Sequence, residues 1–274
     1  MDNNLRRQYL AALGIPLWAL RRPPALQPEP ASSLLPPDER LKASAEELPM
    51  DDWIAPMDAA QEPPTQNDSA NFSPAAPNRR AATIAQMDWD ALTTAVSECA
   101  ACGLCASRTQ TVFGVGNRQA DWLIVGEAPG ADEDRLGEPF VGRAGKLLNP
   151  MLLAVGLKRE QVFIANVLKC RPPDNRDPAP EEAAQCRPFL NRQIALIRPR
   201  LILAVGRIAA QNLLATDTPI GKLRGQVHRF GPARIPLVVT YHPAYLLRSP
   251  REKRRAWDDL RLARRALTVE SPAP

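Results

Sequence analysis

The sequence predicts an α/β fold, a three-layer α/β/α arrangement with a central four-stranded parallel sheet, preceded by a disordered N-terminal tail. Three observations carry this. Four short apolar runs of strand length alternate with amphipathic stretches of helix length in the C-terminal two thirds. Those runs are apolar almost throughout rather than at every second position, as strands buried on both faces must be. Ahead of them lies a long stretch with twelve of the chain's 29 prolines between residues 23 and 80 and no glycine between Gly14 and Gly103.

In chain order, the first 26 residues contain the apolar positions Leu10, Leu13, Ile15, Trp18 and Leu20, followed by Arg21 and Arg22. Gly14 and Pro16 interrupt them and no small-residue cleavage site follows, which argues against a secretion signal. Residues 27–82 are predicted to be an extended linker, because so few large apolar side chains cannot offset the entropy of ordering. Within it, residues 27–77 hold ten acidic and two basic side chains, a net of −8. The whole chain is +5, so the remainder carries +13 and favours a polyanionic partner. No run reaches the ~18–20 apolar residues of a membrane helix. The chain is read as cytoplasmic, where clustered cysteines serve as metal or redox groups more often than as disulfides.

The folded domain is expected over 83–270. Trp89, Leu92 and Val96 recur at helical spacing and lead into Cys99. The predicted strands are Trp122–Val125, Val162–Ala165, Leu201–Val205 and Leu237–Val239, and the predicted helices lie near 143–155, 180–197, 206–215 and 251–266. Gly114-Val115-Gly116 reads as a turn, and His228 is placed in a surface turn. In a parallel sheet, ligands bind beyond the carboxyl ends of the strands. Gly126-Glu127, Asn166, Gly206 and His242 each follow a strand, so they should gather at one edge.

Four of the five cysteines form two separated pairs, Cys99-x2-Cys102 and Cys170-x15-Cys186. Such a set can hold zinc or an iron–sulfur cluster, and spacing alone does not choose. Cys105 is the surplus thiol, read as a small buried side chain. A glycine-dense loop, Gly126-Glu127-Ala128-Pro129-Gly130, continues through Glu133 to Gly137-Glu138-Pro139-Phe140-Val141-Gly142-Arg143-Ala144-Gly145. Glycines at this density let backbone N–H groups approach a ligand. Neither a dinucleotide fingerprint nor a phosphate loop stands at a strand–helix junction. Asp132 and Asp134 read as solvated. Downstream comes His242-Pro243-Ala244-Tyr245, one of the chain's two histidines opening the motif.

Together these motifs, from about Glu98 to about Leu267, resemble the iron–sulfur uracil-DNA glycosylases of family 4. The resemblance implies a monofunctional enzyme that hydrolyses the N-glycosidic bond of uracil in DNA, with the uracil-DNA glycosylase fold. It implies a [4Fe–4S] cluster on Cys99, Cys102, Cys170 and Cys186. It places Phe140 against the flipped base, Asn166 at the pyrimidine edge, and Gly126 and Ala128 along the base. His242 would donate to uracil O2 as negative charge develops there. A carboxylate near the sugar would orient water, with Glu127 and Glu133 as unranked candidates and Asn175 holding the water. Flipping a base from a duplex leaves a gap to fill; Leu246 and Leu247 are the wedge candidates, and Arg143 and Arg248 the phosphate contacts. Residues 1–26 are similar to the N-terminal peptide of the psi subunit of the bacterial clamp loader, which implies a docking peptide for clamp-loader subunits. A replisome adaptor with a glycosylase-shaped domain is the alternative.

Overall fold

The computed structural model describes residues 79–269. The docking peptide of 1–26 and nearly all of the expected linker therefore lie outside the described residues. The first described helix, α1 (Arg79–Ile84), occupies the last residues of the segment read as linker. Helix α2 (Trp89–Ser97) follows, its first turn capped by Asp88, whose carboxylate accepts from Ala91 N at 2.9 Å.

Among the described residues the sheet has six strands rather than four, in the order β1-β3-β2-β4-β6-β5. Its centre is the parallel set β3 (Phe163–Asn166), β2 (Trp122–Gly126), β4 (Leu201–Val205) and β6 (Ile235–Thr240), which are the four apolar runs of the sequence. The two additions are antiparallel edges: β1 (Val115–Gly116) on β3 and β5 (Val227–Phe230) on β6. Both were read as turns. Gly114-Val115-Gly116 is too short to show an alternation, and β5 reads Val-His-Arg-Phe, a half-exposed pattern typical of an edge. His228 thus sits on a strand, its Nε2 2.7 Å from Leu223 O.

Alternate side chains of the central strands feed two cores. Leu123, Val125, Ala165, Ile202, Ala204 and Val239 pack under helices α5 (Pro180–Ile197) and α6 (Arg207–Leu214) and the short α7 (Ile220–Leu223). Ile124, Ile164, Leu203, Val205 and Val238 pack under α4 (Arg143–Ala154), α8 (Pro243–Arg248) and α9 (Lys253–Val269). A short helix, α3 (Ala131–Leu136), lies in the loop after β2. Each fully buried Leu or Ile contributes about 1.5–3 kcal/mol, which explains why strands without polar alternation are stable only inside such a sandwich. Among the described residues no helix is long and apolar enough to cross a membrane.

The chain runs from β2 outward to β3, then crosses to β4 and β6 on the other side of β2. The reversal leaves a crevice at the carboxyl ends of β2 and β4, the place such sheets reserve for ligands.

Candidate active site

At that edge lies a cleft of about 470 Å³, lined by Glu127, Ala128, Glu133, Phe140, Asn166, Asn175, Asp177, His242, Tyr245 and Arg248, among others. Sheet register does the assembling. Gly126 pairs with Asn166 across β2 and β3, and Gly206 N donates to Thr240 O at 2.9 Å, tying β4 to the end of β6 just before His242. Gly126 is required by close approach: a Cβ there would collide with Asn166 Oδ1 and lie 2.6 Å from the Phe140 ring. A larger groove of about 850 Å³ lies at the opposite end of the sheet, between Arg198 and the β5–β6 hairpin, but contains none of the motif residues.

His242 caps α8 with its ring, Nδ1 accepting from Ala244 N at 3.2 Å. An accepting Nδ1 places the ring proton on Nε2. Burial, reinforced by Arg248 and opposed by Glu133, lowers the pKa to about 4. The ring is therefore a neutral N–H donor at pH 7. Its centroid lies 5.6 Å from that of Phe140, the planes tilted by 31°.

Asn166 is buried, lines the cleft, and among the described residues its Oδ1 has no hydrogen-bond partner. A buried amide oxygen left unpaired costs about 1–3 kcal/mol.

The two glutamates separate clearly. Glu133 is saturated: Oε2 accepts from Gly130 N at 3.1 Å, and Oε1 accepts from Val141 N and Gly142 N, both at 2.9 Å. It staples the glycine-rich loop. Glu127 has no hydrogen bond to its carboxylate among the described residues, and burial raises its pKa to about 7, with Asp177 adding to the rise and Arg207 opposing it. Asp177 and Arg207 are themselves paired at 2.5 Å. Asn175, in a left-handed conformation, stands at the cleft mouth, its Oδ1 accepting from Arg171 Nε at 2.8 Å.

Phe140 also has a left-handed backbone, φ 54°. For a bulky residue this costs about 1–3 kcal/mol and persists only where the surroundings enforce it. Gly145 is part of that enforcement: the first turn of α4 presses so close that a Cβ would overlap the Phe140 carbonyl oxygen.

Three sequence-based expectations are corrected here. Leu246 is 1% exposed and packs in the core beside Leu147 and Leu260, so it is no wedge; the outward apolar side chains of α8 are Tyr245 and Leu247. Helical geometry turns adjacent leucines to different faces. Asp134 is buried rather than solvated, its carboxylate accepting from Thr109 N at 3.0 and 3.1 Å. Cys105 is half-buried in the 3-10 turn Gly103–Ala106. Asp132 is exposed, as expected, and Arg143 is exposed at the start of α4 without lining the cleft.

All five cysteines are free thiols; Cys170 and Cys186 are buried, and Cys99 and Cys102 half-buried. Burial raises the pKa of Cys170, with its Arg108 hydrogen bond opposing, and Cys102 and Cys99 are close enough to add to the rise. Cys186 is pushed up to about 11, again by burial, with Cys170 and Cys102 contributing. The four thiols thus share one electrostatic neighbourhood. They do not form a ready coordination sphere: among the described residues no three His, Cys, Asp or Glu side chains are grouped to hold a metal ion. Cations surround them. Arg108 Nη1 donates to Cys170 Sγ at 3.1 Å, and Arg80 Nη2 to Cys99 Sγ at 3.5 Å. Lys169, 1% exposed, donates to Asn166 O at 2.9 Å and Gln193 Oε1 at 2.7 Å. Burial lowers its pKa to about 8, while Cys186 and Cys170 oppose the fall. The sequence held a signal for Lys169, a lone charge inside the apolar run before Cys170. It held none for Arg80 or Arg108.

The central parallel sheet is covered by helices on both faces and carries, at its switch point, a cleft with a neutral imidazole in its lining. Residues 113–261 match the uracil DNA glycosylase superfamily, and the chain belongs to it. It is similar to the Type-4 uracil-DNA glycosylase of Archaeoglobus fulgidus, 49% identical over 162 residues that cover 57% of this chain and 81% of that protein. The Type-4 enzyme of Pyrobaculum aerophilum is 42% identical over 170 residues, 60% of this chain and 87% of the relative. That of Thermotoga maritima is 46% identical over 156 residues, 56% and 80%.

Proposed function

We propose that the chain is a monofunctional DNA-repair glycosylase that hydrolyses the N-glycosidic bond of uracil and leaves an abasic site. The observation that carries the chemistry is the unpartnered Asn166 Oδ1 in a cleft it shares with Phe140 and neutral His242. Uracil offers an N3–H donor beside an O4 acceptor, which an amide oxygen and nitrogen match in that order; cytosine offers the reverse pair. Phe140 stacks on the base, with Gly126 and Ala128 leaving room for its plane.

Negative charge grows on uracil O2 as the bond to the sugar breaks, and His242 Nε2–H donates to it. A neutral donor serves here because the departing base leaves as an anion and needs stabilisation rather than a full proton. The sugar becomes cation-like, and water adds to C1′. Glu127, with no partner of its own, is the carboxylate that orients this water and takes its proton, helped by Asn175; Glu133 holds the loop instead. Leu247 and Tyr245 enter the gap left by the flipped base, and Arg248 and Arg143 meet phosphates.

Cys99, Cys102, Cys170 and Cys186 would hold a [4Fe–4S] cluster. The chemistry of the donors suits such a group, although the thiols are not gathered into a coordination sphere: four thiols share one neighbourhood with a buried ammonium that has no carboxylate partner among the described residues and is suited to offset thiolate charge. Held there, the cluster would cross-link the segment after α2, which carries Cys99 and Cys102, to the β3–α5 connection at Cys170 and to α5 itself at Cys186. Residues 1–26 dock on clamp-loader subunits in the cytoplasm. The adaptor alternative is not favoured, since Glu127, Phe140, Asn166, Asn175 and His242 all keep side chains the chemistry uses.

The test is excision of uracil from single- and double-stranded oligonucleotides by anaerobically purified protein, with alkali cleavage revealing abasic sites. Cleavage at uracil that disappears in His242→Ala supports the proposal; no cleavage by iron-loaded protein overturns it.

A further inference from the structure

Phe140 owes its pose to a residue that never enters the cleft. Its left-handed backbone is gripped from both sides. On the amide side, Glu133 holds the N–H groups of Val141 and Gly142. On the carbonyl side, Arg159 reaches over from the 3-10 turn Arg159–Gln161. Its Nη2 donates to Pro139 O at 2.5 Å, and its Nη1 makes longer contacts, both at 3.4 Å, with Phe140 O and Asn149 Oδ1. The guanidinium is half-buried, and burial lowers its pKa, with Glu138, Glu160 and Glu133 opposing the fall.

We propose that Arg159 is a positioning residue for base recognition: its planar fork fixes the Pro139 and Phe140 carbonyls, and so sets the face that Phe140 presents to the extruded base opposite His242. The inference rests on the reading of Phe140 as the stacking platform. The fork matters as much as the charge. A guanidinium directs two parallel N–H groups at two successive carbonyls, whereas an ammonium on a flexible stem is a point donor. Without the fork, Gly145 still presses on the Phe140 carbonyl, but nothing holds the preceding peptide, and the ring can turn out of parallel with the base. A misplacement of about 1 Å in such a site is worth up to ~100-fold in rate.

The experiment is a double-mutant cycle on kcat/KM for a uracil-containing single strand, using the full chain with its cysteine site loaded, and thermal melting to establish folding. Phe140→Ala is measured first, and loses activity if the stacking reading holds. Arg159→Ala is then expected to lose roughly 10–100-fold alone, and less than twofold further in the Phe140→Ala background. Arg159→Lys is expected to lose nearly as much as Arg159→Ala, and it stands in if the alanine variant does not fold. Millimolar guanidinium ion restores part of the Arg159→Ala loss, which a merely structural defect would not allow. Full additivity of the two substitutions, or wild-type activity in Arg159→Lys, overturns the inference while leaving Phe140 as platform. An active Phe140→Ala removes the platform itself, and the inference with it.

Discussion

Glu127 should write its ionisation into the pH dependence of excision. With a pKa of about 7, raised from 4.5 chiefly by burial, the carboxylate is about one tenth ionised at pH 6 and about nine tenths ionised at pH 8. If its ionised form orients the attacking water, kcat/KM should rise roughly tenfold over that interval and flatten above it. His242 cannot mimic this limb, because its own pKa lies near 4. Glu127→Gln should abolish the limb and lower the plateau by about 10²–10⁴-fold. The neighbours provide opposite controls. Asp177 raises the Glu127 pKa, so Asp177→Asn should move the limb to lower pH; Arg207 lowers it, so Arg207→Gln should move the limb to higher pH. The assay is excision from a single-stranded uracil oligonucleotide at subsaturating concentration and fixed ionic strength, from pH 5 to 9. A limb that persists in Glu127→Gln, or neighbours that shift it in the same direction, would refute the assignment.

Asn166→Ala and His242→Ala should each reduce excision severely with the melting temperature little changed; near-normal activity in both would dissolve the pocket assignment. The two leucines of α8 should part company. Leu246→Ala should cost about 2–5 kcal/mol in denaturant melts. Leu247→Ala should leave stability alone and slow excision from duplex more than from single strands, and the reverse pattern would return Leu246 to the wedge. Cys186→Ser should lose iron, sulfide and brown absorbance and melt earlier, while Cys105→Ser keeps all of them; the opposite result would reassign the ligands. Deleting residues 1–26 should leave excision unchanged and end co-purification with clamp-loader subunits, which retained co-purification would contradict.

The central strands were legible because each apolar run is buried on both faces and therefore carries no competing signal. The edges were not: β1 spans two residues, and β5 alternates Val-His-Arg-Phe beside a glycine turn, so each resembles a loop until its partner strand is known. That Glu127, Asn166 and His242 line one cleft could be read from their place after strands, whereas the contacts of each side chain could not. Glu127 and Glu133 look alike in sequence, and only the three backbone N–H groups on Glu133 set the stapling carboxylate apart from the one with no such partners. Leu246 and Leu247 are likewise adjacent and chemically equal until the helix assigns each a face. Arg159 and Arg108 act on residues about 20 and 62 positions away, beyond any local pattern.

The pairing of Gly126 with Asn166 across two parallel strands bears on how such a protein fails. Asn166 and His242 arrive on different segments, at the ends of β3 and β6, and the ladder that holds the sheet also holds them in one cleft. A copy that loosens, by heat or by mutation, loses that alignment all at once. A slip of β2 against β3 would therefore be felt in the cleft as directly as in the core.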